Sequence, residues 1–255
     1  MTDYKKICEQ AARAGGAVLL DWRGRFQVRE KAPADLVTEA DLASQKTIRE
    51  LVLAEFPDHD FLGEEDSPAA AAVSDYRWIV DPLDGTTNYV HGMNNYSVSV
   101  ALEHQGRIIA GAVFDPVADE CYTAALGEGA WLGETPIRAS DVTELEQALV
   151  AVSLPARVQR DSPDIQDFIE ATLRCQAVRR MGSAALNLCY LAAGRFDAYW
   201  ASSTKIWDIA AGVLLVSEAG GTVRARGGGP LELATPNFVA AATPALHAEL
   251  EDLLT

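Results

Sequence analysis

One stretch constrains this chain more than any other: the apolar run RWIV (residues 77–80) feeds directly into DPLDGTTN (residues 81–88). A strand that meets an Asp-Pro pair cannot continue as a central ladder, because proline has no N–H to donate, and Gly85 permits a tight bend. Asp81 and Asp84, three residues apart, can therefore converge on one point instead of facing opposite sides of a sheet. Two anions held together in a strand-end pocket are costly unless a cation lies between them. Oxygen-only ligands suit a hard cation, and magnesium is the usual choice where phosphate completes the shell. The plain alternative is an Asx-turn that closes the strand and binds no metal. Gly85, Thr86 and Thr87 are harder to explain that way. At the start of a helical turn they can present consecutive N–H groups and hydroxyls, a phosphate cradle that uses no lysine.

A cradle without lysine fits the charge. The chain carries 21 basic and 37 acidic residues, a formal charge of −16. So acidic a surface repels nucleic acid and anionic membrane, and no Lys/Arg cluster offers a local exception. It also repels a phosphorylated metabolite unless cations intervene. No apolar run approaches the roughly 20 residues needed to span a bilayer, and MTDYKKICEQ at the N-terminus lacks an apolar signal core. The expected location is the cytoplasm. Cys8, Cys121, Cys175 and Cys189 have neither CxxC nor zinc spacing and read as reduced, mostly buried thiols.

Periodicity divides the 255 residues into two halves. A helix is predicted over residues 3–22, with Ile7, Ala11, Ala14, Val18 and Trp22 at helical spacing and Leu19 beside them. Residues 23–34 read as a loop or loose hairpin. A second helix over 39–56 follows, capped by Thr38 and Asp41, with Leu42, Leu51, Val52 and Phe56 near one face. Strands are predicted over 60–63, 77–80, 97–103, 107–114 and 120–125, with an alanine-rich loop at 67–72 and turns at Gln105-Gly106 and Asp115-Pro116. After about residue 139 strands and helices alternate: strands at 148–152, 177–178, 196–200, 221–223 and 238–242, helices at 164–173, 183–193, 209–218 and 245–254. Residues 1–140 thus form an α+β half with an antiparallel sheet, and residues 141–255 an α/β half with a mixed sheet. The two are expected to pack as one unit around a shared cleft.

Three signatures then coincide. GEE (63–65), DPLDGTTNYVHG (81–92) and WDIAAG (207–212) resemble those of the inositol monophosphatase family, in the family's order and near its spacing. The likeness runs from the first helix to the last, through DLVTEAD (35–41) and GSAALNLCY (182–190). The resemblance implies a layered αβαβα sandwich of the sugar-phosphatase type, a homodimer, two or three Mg²⁺ ions and inhibition by lithium. It matches Glu64 to a glutamate that binds the first metal and helps hold the attacking water. Asp81 matches a carboxylate bridging two metals, Leu83 a residue whose backbone carbonyl completes the first site, and Asp84 and Asp208 ligands of the second. Asp41 and Thr86 match a hydrogen-bonded pair that orients and helps deprotonate the water. Asp84, Gly85 and Thr86 lie in the phosphate-facing turn, and Gly182, Ser183 and Ala184 resemble the part that faces the alcohol. The implied chemistry is direct attack of water on a small phosphate monoester, which two metal ions roughly 3.5–4 Å apart can support.

Simpler readings stand beside these. Asp208 at the start of an apolar helix reads as an N-cap, Asp41 as part of the Thr38 cap, and Glu64-Glu65 as a solvated loop. His91 reads as a packing or hydrogen-bonding residue and Asp58-His59-Asp60 as an exposed turn. The sequence also departs from the family. Where inositol-specific members carry a glutamate about seven residues before the WD aspartate, this chain has Ala201, and Lys205 follows in the same stretch. Losing that carboxylate removes hydrogen bonds to a polyol, and Lys205 is a candidate contact for a second phosphate or a carboxylate. Lys31 only loosely matches the family's basic residue ahead of the aspartates. The expected substrate is a sugar or polyol phosphate such as inositol monophosphate. The same chemistry on histidinol phosphate, fructose 1,6-bisphosphate or a 3′-phosphonucleotide is the alternative, and an inactive relative that acts as a binding or regulatory protein is the alternative of another class.

Overall fold

The runs RWIV, LVAVS, AYWA and FVAA show little polar alternation, so their sheets require cover on both faces. The computed structural model, which describes residues 2–32, 35–66 and 73–254, supplies that cover in five layers. The first comprises α1 (Tyr4–Trp22) and α2 (Glu39–Glu55), with a hairpin of β1 (Val28–Ala32) and β2 (Asp35–Thr38) between them in sequence. The side chain of Lys31 and the alanine-rich segment 67–72 lie outside the described residues. The second layer is a seven-stranded sheet in chain order: β3 (Asp60–Gly63), β4 (Tyr76–Asp84), β5 (Ser97–His104), β6 (Arg107–Asp115), β7 (Glu120–Ala125), β8 (Ala130–Leu132) and β9 (Thr135–Ile137). It is antiparallel, as expected, except that β3 pairs parallel to β4. The short helix α3 (Thr86–Val90) closes the end of β4.

The remaining layers come from the second half of the chain. Here β10 (Leu149–Ser153), α4 (Pro163–Arg174), β11 (Ala177–Arg179), α5 (Ala184–Ala192), β12 (Ala198–Ala201), α6 (Ile206–Glu218), β13 (Thr222–Ala225), β14 (Phe238–Ala241) and α7 (Pro244–Leu253) follow one another. The five strands form a mixed sheet in the order β11-β10-β12-β14-β13. In it β10 runs parallel to β11 and β12, and β14 runs antiparallel to its neighbours. Helices α5 and α6 fill the layer between the two sheets, and α4 and α7 cover the outer face of the smaller one.

Alternation of side chains through each strand divides the apolar runs among three cores. In β4, Trp78 and Val80 pack toward α1 and α2 while Ile79 packs toward α6. In β10, Val150 and Val152 face outward to α7, and Ala151 faces inward. Tyr199 and Trp200 of β12 divide in the same way.

Three expectations change. In α1 the predicted Ile7, Ala11 and Leu19 are buried, but the stripe continues through Cys8, Ala12, Gly15 and Gly16 instead of Ala14 and Val18. A Cβ at Gly15 would lie 2.7 Å from Ile48 of α2, and one at Gly16 would lie 2.5 Å from Phe114 of β6, so the helix is seated by residues that carry no hydrophobic signal. In α2, Leu42 is exposed, and the buried face instead includes Asp41, Ser44 and Gln45. His59 is not exposed as a turn residue; it is stacked between Phe56 and Tyr76. The turn readings hold. Gln105 and Gly106 both have positive φ between β5 and β6, and Asp115 Oδ1 accepts the N–H groups of Val117 and Ala118.

Candidate active site

Strand β4 runs on to Asp84 instead of stopping at Asp81, but its ladder with β5 slips between those residues, where Pro82 and Leu83 bulge. That slip turns both aspartates to one side. Gly85, with φ of +94°, then reverses the chain into α3, and a Cβ there would lie 3.0 Å from the Asn95 carbonyl, so a side chain is excluded twice over. Ser44 holds the bulge from beneath by donating to the Pro82 carbonyl at 3.0 Å.

Asp81 is buried, with Oδ1 accepting the Leu83 N–H at 3.0 Å. Asp84 is gripped by the N-terminus of α5. Ala184 N–H donates to its Oδ1 at 3.1 Å, Ala185 N–H to its Oδ2 at 2.8 Å, and the Ser183 hydroxyl to Oδ2 as well. Asp208 sits three residues deeper in its helix than expected, because α6 starts at Ile206. It is not the N-cap residue itself, but its Oδ2 accepts the N–H of the N-cap, Lys205, at 2.8 Å. Its carboxyl faces that of Asp81 at hydrogen-bonding range.

Burial and mutual repulsion push these acids up. Asp208 is raised to about 8 by burial and then by Asp84, although part of the residue opens to the cleft. Asp81 is raised well above the carboxylate range by burial and then by Glu64, Asp84 and Asp208. Burial raises Asp84 too, and its four donors, the Ser97 hydroxyl at 3.5 Å being the fourth, only partly compensate. Among the described residues, no lysine, arginine or histidine pairs with Asp81, Asp84 or Asp208. No three histidine, cysteine, aspartate or glutamate side chains among the described residues stand close enough together to enclose a metal ion as they are placed.

Asp41 serves two functions with its two oxygens. Oδ2 caps α2, accepting the Thr38 N–H at 2.9 Å and hydroxyl at 2.6 Å, while Oδ1 faces the Thr86 hydroxyl at 3.4 Å. Burial, partly offset by Thr38, raises it to about 7. The Thr86 hydroxyl lies closer to the Leu83 carbonyl, at 3.0 Å. Glu64 follows β3, its backbone joined to Val80 of β4, and its charge acts on Asp41, Asp81 and Asp208.

Asp84 and Asp208 open into a cleft of about 660 Å³, whose lining does not include Asp41, Glu64 or Asp81. Of the expected residues, Asp84, Asp208, Gly182 and Ala184 line it. Ser183, expected to face the alcohol, is fully buried and spends its hydroxyl on Asp84. Ala201 is buried in β12, and neither it nor Lys205 lines the cleft. His91 is exposed. The sequence reading missed Ser153, Arg180, Ser203 and Thr204, which follow or end β10, β11 and β12. Their one available signal is position, since ligands of open α/β sheets collect at the carboxyl ends of parallel strands.

The model of the inositol monophosphatase family matches residues 2–254. The chain belongs to that family. It is 39% identical over 246 residues to a Nus factor SuhB from Pasteurella multocida, covering 95% of this chain and 92% of that one. It is 43% identical over 210 residues to an inositol-1-monophosphatase from Rhizobium meliloti, covering 81% and 79%. The extragenic suppressor protein suhB from Bartonella henselae superposes with a TM-score of 0.94 at 36% identity, over 100% of this chain and 99% of that one. As a member of the inositol monophosphatase family, this chain has the family's αβαβα fold. Among the described residues no helix is long and apolar enough to cross a membrane.

Proposed function

We propose that this chain is a magnesium-dependent phosphomonoesterase that hydrolyses a small phosphorylated metabolite by direct attack of water. The observation that carries the reading is the set of buried acids Asp81, Asp84 and Asp208, mutually repelling and without a basic partner among the described residues. A donor set made only of carboxylate and carbonyl oxygen fits a hard divalent ion, whose charge would remove the repulsion. Glu64, Asp81 and the Leu83 carbonyl would hold one ion, and Asp81, Asp84 and Asp208 another. Bound there, magnesium would supply charge neutralisation on the phosphoryl oxygens, an activated water and help for the leaving alkoxide.

The protein's own groups do the rest. The Thr86 hydroxyl has one proton and can donate either to Leu83 or to Asp41. Donating to Asp41, it leaves the Leu83 carbonyl free as a ligand and couples the attacking water to a base. Asp41, raised to about 7, is poised to exchange a proton near neutral pH. The amides of Ala184 and Ala185 and the Ser183 hydroxyl orient Asp84, so that Ser183 acts by positioning a ligand. Residues 85–87 open α3, whose first N–H groups lack carbonyl partners within the helix and suit phosphoryl oxygens.

A screen for phosphate release across sugar phosphates, polyol phosphates, bisphosphates and nucleotides, with and without magnesium, tests this reading. Turnover of at least one monoester that requires the metal is expected. Release from none of them would leave the chain a binding protein, a reading the name Nus factor in one relative keeps open.

A further inference from the structure

The three parallel strands β10, β11 and β12 deliver their following residues to one edge of the cleft: Ser153 and Leu154, Arg180, and Ser203 and Thr204. Among the described lining residues Arg180 is the sole basic side chain, and Asp84 and Asp208 are the only acidic ones. Arg180 makes no hydrogen bond or ion pair with any described residue. Its backbone, by contrast, is held from both sides. Ahead of it β11 pairs with β10, and behind it the Met181 carbonyl accepts from Asn88 at 2.8 Å and Asn95 at 3.1 Å. Gly182, with φ of +85°, lets the Asn88 amide press against the chain, where a Cβ would lie 2.9 Å from its nitrogen. A second polar group at the cleft is also unspent: Thr204 is 9% exposed, and its buried hydroxyl finds no partner among the described residues.

We propose that Arg180, with the Thr204 hydroxyl, is a specificity subsite for a second anionic group on the alcohol part of the substrate. This rests on the phosphomonoesterase reading above and narrows it to esters that bear a carboxylate or a second phosphate. The acids on the cleft floor would meet the scissile phosphate only through bound metal ions, and as anions they offer nothing to a second anionic group. A guanidinium without a carboxylate partner is suited to one, with a planar fork of donors that fits either group. Ala201 is buried in the sheet, outside the cleft lining, and offers a neutral hydroxyl no side-chain hydrogen bond. Lys205, which the sequence suggested for a second anion, lies outside the cleft lining.

Three esters on one carbon skeleton test it: glycerol 1-phosphate, 3-phosphoglycerate and glycerol 1,3-bisphosphate, which end in a neutral hydroxyl, a carboxylate and a phosphate. With magnesium, the native protein is expected to favour at least one charged ester in kcat/KM by about tenfold or more. Whichever charged ester is preferred identifies the anion. Arg180→Gln is expected to reduce that preference toward unity, mainly through KM, with Arg180→Lys retaining part of it and Thr204→Val weakening it further. Equal turnover of all three by the native protein overturns the proposal, as does an Arg180→Gln variant that keeps the preference or loses all three activities alike. A silent glycerol 1-phosphate arm alongside silent charged arms removes the phosphatase reading itself. An active neutral arm with no charge preference removes only the subsite.

Discussion

Each acid of the cleft combines a structural duty with a chemical one, and the atoms separate the two. Asp41 caps α2 with Oδ2 and turns Oδ1 to Thr86, while Asp208 accepts from the start of α6 and faces Asp81. Asp81→Asn or Asp208→Asn should therefore lower turnover by on the order of a thousandfold or more, because each removes an ion ligand that neutral amides replace poorly. The same substitutions should leave the circular-dichroism spectrum unchanged and raise the thermal midpoint of the magnesium-free protein near neutral pH, since each removes a buried acid whose ionisation favours the unfolded chain. Near-native activity in either variant would contradict the assignment. These residues were legible in the sequence because DPLDGTT is contiguous and WD opens a helix. The fourfold grip on Asp84 was not legible, because Ser183 and Ala184 lie about a hundred positions away and their local context says only that a helix begins there.

Small residues decide how the elements seat. Helix α6 is pressed between β6 and α5: a Cβ at Gly111 would lie 3.0 Å from Ala211, and one at Gly212 would lie 2.6 Å from Leu188 Cβ. The AAG of WDIAAG is thus small because of packing on both sides, and this close approach sets Asp208 at the depth of Asp81. Gly212→Ala is expected to destabilise the protein by about 1–2 kcal/mol, measured by denaturant unfolding. The gain of about 1 kcal/mol in helix propensity is outweighed by overpacking against an atom that cannot swing away. Gly63 of GEE has a similar origin, since a Cβ there would fall 2.2 Å from Gln45 Oε1, whose side chain accepts from Glu65 N–H at 2.9 Å. Hydrophobic periodicity cannot register such contacts, which is why it found Ile7, Ala11, Leu19 and Val52 but not the glycine and polar positions that complete the buried faces of α1 and α2. In α2 the buried face mixes Asp41, Ser44 and Gln45 with Ala40, Ile48 and Val52; Ser44 supports the Pro82 bulge, and Leu42 lies outside that face.

At the scale of the molecule, the buried acids make stability depend on pH and metal together. Asp41 and Asp208 stand at about 7 and about 8 in the folded protein against 3.8 in an exposed chain. Between those values the unfolded chain has released protons that the folded one still holds, so folding weakens as pH rises. Without magnesium the thermal midpoint should therefore fall from about pH 4 to about pH 8 and then level off as both states become ionised. Magnesium should raise the midpoint most at the upper end of that window, where ligand carboxylates are ionised at least cost. Calorimetric scans across pH, with magnesium or a chelator, give the comparison. A midpoint that rose with pH in the metal-free protein would contradict the burial of these groups.

Strand runs and helical spacing in the amino-acid order indicated an α+β half followed by an α/β half and placed the aspartate turn and the Thr38–Asp41 cap, while the αβαβα layering was implied by the resemblance of the three signatures to the inositol monophosphatase family. Those features are local, written in windows short enough for neighbouring residues to define them. The meeting of Asp208 with Asp81, the raised acidities and the arrival of Arg180 and Thr204 beside one cleft depended on how the layers close. Desolvation and long-range approach arise only when distant segments exclude water from each other, and no stretch of sequence carries that information by itself.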